Sequence, residues 1–137
     1  MTKSDEAVAL FRSGFNCSQA ILHVYGGEVG LAAHHALKLG SGFGAGMRRG
    51  ATCGAVTGAI MALGLRSGFD DPADGTGKAR IGDAVVDLCR RFEARHKSVV
   101  CRELLGCDLD EARARGLFQR LCPAFVETAA RFLDDPT

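Results

Sequence analysis

The chain has no tryptophan, one tyrosine and three prolines in 137 residues, and aromatics make up only 7% of it. A core so poor in rings has to be built from Ala, Leu, Val and Phe on closely packed helices. An excess of one charge is also missing. Seventeen Lys and Arg face sixteen Asp and Glu, a formal charge of +1, which argues against nucleic-acid or membrane-surface binding driven by charge. No apolar run reaches the roughly 18 residues of a membrane span. The opening Met1-Thr2-Lys3-Ser4-Asp5-Glu6 lacks the basic-then-apolar pattern of a secretory signal, and the resulting expectation is a cytoplasmic protein. No convincing strand pattern, internal repeat, Ser/His/Asp arrangement or paired carboxylates can be read, so hydrolytic catalysis has no positive support.

What the chain does have is 47% hydrophobic residues, 18 glycines and six cysteines. Its length suits one domain, 1–137, with a real core. Apolar residues recur at helical spacing through Ala7, Val8, Leu10 and Phe11, and again through Ile81, Val85, Leu88, Cys89 and Phe92. The expectation is an all-α, single compact bundle of about six to seven helices. A glycine-rich loop, Gly40-Ser41-Gly42-Phe43-Gly44-Ala45-Gly46, precedes the central helix of a CGAxxG element. Asp70 to Gly77 reads as an exposed loop by its turn residues.

The cysteines divide by position. Asn16 is a good N-cap with Cys17 as the first helical residue. A helix starting near Thr52 places Cys53 in its first turn, and Ser98 caps a helix with Cys101 in its first turn. Pro123 favours a first helical position, which makes Cys122 an N-cap. Cys89 reads as a mid-helix core residue and Cys107 as a turn residue. Thiols at helix starts lie near unpartnered N–H groups and the positive end of the helix dipole, a setting that biases them toward thiolate. Gly50, Gly54 and Gly58 recur every four residues and are expected to line one helix face, leaving a groove for another backbone or a bulky cofactor. In reducing surroundings, cysteines of this kind read as metal ligands or redox thiols. No C-x2-C is present, so spacing alone leaves clustering of the four and inert core burial both open.

Asn16-Cys17, Cys53-Gly54-Ala55-Val56-Thr57-Gly58, Cys101-Arg102-Glu103-Leu104-Leu105-Gly106 and Cys122, in this order, resemble the C_GCAxxG_C_C family of redox-active proteins. The resemblance covers nearly the whole chain and maps the four family cysteines onto Cys17, Cys53, Cys101 and Cys122. It implies a redox-active helical domain. A similar cysteine domain occurs joined to haem-binding segments in split-Soret cytochromes, where the four cysteines are thought to hold an iron–sulfur cluster. This chain has no C-x2-C-H site, so covalent haem attachment is not expected.

The first expectation is therefore an iron–sulfur cluster, [2Fe–2S] by preference, on Cys17, Cys53, Cys101 and Cys122, serving electron transfer or redox sensing. The alternatives are a metal-free thiol–disulfide oxidoreductase pairing Cys53 with Cys17, Cys101 or Cys122, and a structural zinc or metal-handling module. Cys107, six residues from Cys101, is a substitute ligand or resolving thiol. The partner is expected to be a redox protein of unknown identity, with no nucleic acid or membrane involved and a homodimer left open. Arg48 and Arg49 read as holding thiolates or an anionic cluster, or simply as solvated. His23, His34, His35 and His96 read as ordinary surface or core residues. No strand precedes Gly42, Gly44 and Gly46 and no P-loop lysine follows them, so a phosphate-cradle reading carries little weight.

Overall fold

The computed structural model describes residues 1–135. Among them lie eight α-helices: α1 Lys3–Arg12, α2 Cys17–Gly27, α3 Ala33–Gly40, α4 Gly54–Ser67, α5 Gly75–His96, α6 Cys101–Leu105, α7 Leu109–Ala114 and α8 Leu117–Asp134. The all-α class is as expected. The count exceeds six to seven through the short helices α6 and α7, of five and six residues.

Local chemistry explains most boundaries. Thr2 caps α1 and Asn16 caps α2, each through a reciprocal capping box with Asp5 and Gln19 respectively. Asp74 accepts from Gly77 N–H to start α5. Asp108 accepts from Glu111 N–H to start α7. Gly116 takes a left-handed conformation between α7 and α8, and it is this glycine, not Pro123, that separates the last two helices.

The core is built as the composition requires. Ala20, Ile21, Val56, Ala59, Phe92, Val126 and Ala129 are fully buried, and α2 packs chiefly on α4, with α8 laid across α1, α2 and α4. A methyl group added at Gly58 would come within 3.0 Å of Ser18 O and 3.1 Å of Ser18 Cα. The groove on α4 is therefore filled by the backbone of α2. Gly54 belongs to the same contact, but Gly50 lies outside the helix in a left-handed conformation, so the three glycines do not share one helix face. The lone tyrosine, Tyr25, donates from its hydroxyl to Ala130 O at 3.1 Å and Asp134 Oδ1 at 2.9 Å, tying α2 to the end of α8.

Candidate functional site

Three of the four cysteines singled out from the sequence stand at helix starts. Cys17 is the first residue of α2. Cys53 is the N-cap of α4 rather than a residue of its first turn, since the helix begins at Gly54. Cys101 opens α6 behind Val100. Ser98 is not the cap expected for this helix, since Val100 takes the N-cap position without a side-chain cap; the Ser98 hydroxyl instead accepts from Val100 N–H at 2.9 Å and donates to Glu103 Oε1 at 2.6 Å. Cys122 departs from expectation: α8 runs from Leu117 through it, with Pro123 inside the helix. Proline preferences alone placed a boundary there, but continuous burial of Cys122, Pro123, Phe125 and Val126 carries the helix through.

A small piece of extended structure, not foreseen from sequence, sets two of these cysteines side by side. Thr52 and Val100 form an isolated antiparallel bridge. Around it, Cys53 N–H donates to Val99 O at 2.8 Å and Cys101 N–H donates to Ala51 O at 2.6 Å. The sequence signal was the Val99-Val100 pair, a β-branched run too short to read as a strand. The glycine-rich loop closes in from the other side. Ala45, Gly46, Met47 and Arg48 take successive positive φ angles of 54°, 60°, 60° and 64°, a left-handed run that costs about 1–2 kcal/mol at each non-glycine position. At Gly46 a side chain has no room, because a methyl group there would lie 2.5 Å from Ala51 N and 2.8 Å from Cys101 Cβ.

The consequence is convergence. Cys17, Cys53, Cys101 and Cys122 all line one narrow cavity of about 20 Å³, whose other walls are Ala45, Gly46, Gly54, Leu104, Leu105, Phe118 and Phe125. None of the four is more than 7% exposed, and all six cysteines of the chain are free thiols. Cys89 and Cys107 lie elsewhere, half-buried on α5 and beyond the end of α6. The histidines are also outside the cavity. His96 shares a 2.8 Å hydrogen bond with Thr128 Oγ1 and packs against Phe92 and Phe125.

Burial corrects the expectation of thiolate bias. It pushes Cys53 up to about 12, even though the backbone N–H groups of Ala55 and Val56 favour its thiolate. It also raises Cys101 to about 11, with Cys122 adding to the effect. The side-chain interaction with Cys122, followed by burial, holds Cys17 well above its ordinary value, and the same interaction lowers Cys122. At these helix starts desolvation outweighs dipole and donors.

The donors fall into two couples, Cys53 with Cys101 by backbone clamping and Cys17 with Cys122 by their mutual effect on titration across the shared cavity. Among the described residues no group of three or more His, Cys, Asp or Glu is arranged to hold a metal ion as it stands. No helix among them is long and apolar enough to cross a membrane. A family model described as "Putative redox-active protein (C_GCAxxG_C_C)" matches residues 15–135, a span that contains all four cysteines; the GCA of its label reads Cys53-Gly54-Ala55 in this chain. No curated protein and no solved structure matches the chain.

Proposed function

The chain belongs to the C_GCAxxG_C_C family, and from that premise we propose that Cys17, Cys53, Cys101 and Cys122 hold an iron–sulfur cluster, preferably [2Fe–2S], for electron transfer or redox sensing. One observation carries the reading: four thiols from four distant parts of the chain line one cavity whose remaining walls are apolar. Buried inert cysteines would have no reason to collect.

The donor set fits such a group in kind and in grouping. A single zinc ion needs all its sulfurs at about 2.3 Å, whereas a [2Fe–2S] centre takes two cysteines on each iron, matching the two couples. The cavity has room for about one water molecule, so holding a cluster requires the four side chains to spread.

Such a cluster supplies one-electron exchange when bound. The chain's own contribution is a dry wall of Leu104, Leu105, Phe118 and Phe125 around the sulfurs, with the N–H groups of Ala55 and Val56 directed at Cys53. Donors to a ligating sulfur and low solvent exposure are the levers that set a cluster's potential. The raised thiols must release protons to bind metal, so loading should be accompanied by acidification.

The test is anaerobic purification followed by a visible spectrum and assays for iron and acid-labile sulfide. Stoichiometric iron and sulfide are expected; a colourless, iron-free protein after anaerobic reconstitution would sink the reading. The Cys17–Cys122 interaction favours a second reading, a dithiol–disulfide couple that works without metal. It predicts a reversible mass loss of two hydrogens confined to that pair, and it fails if both stay alkylatable after mild oxidation.

A further inference from the structure

Beside the cysteine cavity, and sharing Cys17, Ala45 and Phe118 with it, opens a cleft of about 590 Å³. This is the size of a small-molecule site, about 300–1,000 Å³. Three half-buried rings line it, Phe11, Phe15 and Phe118, together with three exposed arginines, Arg12, Arg48 and Arg113. The arginines come from separate places: the end of α1, the left-handed turn and α7.

Among the described residues no carboxylate lines the cleft. Among the described residues Arg12 and Arg48 form no ion pair, and Arg113 has one exposed contact of 3.4 Å with Asp110, of a kind worth little. In a chain whose formal charge is +1, three guanidiniums on one concave surface are a local concentration of positive charge. Guanidinium groups bind phosphate and carboxylate bidentately and stack on flat rings. The phenylalanines offer the apolar faces that a planar ring would cover.

We propose that this cleft binds a phosphorylated aromatic compound, with its ring against Phe11, Phe15 and Phe118 and its phosphate on Arg12, Arg48 and Arg113. The ligand then lies against the Cys17 wall of the four-cysteine site. The left-handed run gains a purpose, since it delivers Arg48 to the cleft while Ala45 remains in both cavities. Binding does not depend on whether the cysteines carry iron, so the proposal stands or falls separately from the cluster reading.

The test compares two fluorescent probes that share a ring and differ by one phosphate, flavin mononucleotide and riboflavin, titrated by fluorescence into the full-length protein at fixed ionic strength. Flavin mononucleotide is expected to bind at least tenfold more tightly. The double variant Arg12→Gln/Arg48→Gln should abolish that preference. Arg90→Gln/Arg95→Gln, which removes the same charge from exposed positions on α5, should leave it intact. Absence of binding by either probe, equal affinity for both, or equal loss in the two double variants would each overturn the proposal.

Discussion

The six cysteines form two populations that share a side chain and little else. Cys17, Cys53, Cys101 and Cys122 have one another as neighbours around an apolar cavity. Cys107 is half-buried beside the end of α6, its thiol pointing at Leu105 O at 3.9 Å, and Cys89 packs on the rim of the core from α5. Burial raises the thiols of the outer two as well, so titration direction alone does not separate the groups. Company does. A thiol whose neighbours are thiols has the company that ligation or disulfide exchange needs, whereas one facing a carbonyl or a hydrophobic rim behaves as an ordinary small side chain.

The sharpest break in that comparison is removal of an inner sulfur. Cys53→Ser is expected to lower bound iron below a tenth of wild type after anaerobic reconstitution. Cys89→Ser and Cys107→Ser should each retain it, and iron loss in Cys107→Ser would instead make Cys107 a ligand. Alkylation of the metal-free folded protein at pH 8 should follow the same division. A thiol pushed up to about 12 is ionised there in about one molecule per ten thousand. Mass spectrometry should show Cys107 labelled at least tenfold faster than Cys53, with denaturant erasing the difference. Equal rates in the folded protein would mean that the inner cavity is open to solvent.

A smaller effect comes from the helix contact that brings two inner cysteines together. Gly58→Ala forces a methyl against the Ser18 backbone, and overpacking of this kind costs about 1–3 kcal/mol. Urea denaturation measures it, and an unchanged midpoint would show that α2 and α4 have slack. The smallest expected effect lies outside both populations. His96 is lowered from 6.5, chiefly by burial with Arg95 adding, so the unfolded chain takes up its proton first as pH falls. The stability it contributes is present above pH 6.5 and is lost below it, as pH falls through the folded value. His96→Gln should flatten the stability profile between pH 7 and pH 5, which distinguishes this titration from that of the raised thiols.

Legibility in the sequence followed the range of the interactions. Asn16 and Cys17 could be placed to the residue because a capping box closes within one turn. The four candidate cysteines could be selected on local grounds, yet their meeting could not, since the contacts span almost the whole chain. Cys122 is not an N-cap because the positional preference of Pro123 yields to the burial that holds α8 together. The Thr52–Val100 bridge and the arginine cleft are illegible in the sequence for a common reason. Each is assembled from segments with no local relationship, so no window of sequence contains it.

That bridge also bears on the order of assembly. It joins two points separated by all of α4 and α5, so its closure carries the entropy of a long loop and comes late, once those helices are in place. During synthesis Cys17 and Cys53 emerge well before Cys101 and Cys122. A complete set of four sulfurs exists only once Cys122 has been made, so any group held by all four would be taken up after α2 and α4 have formed rather than act as the seed around which they fold.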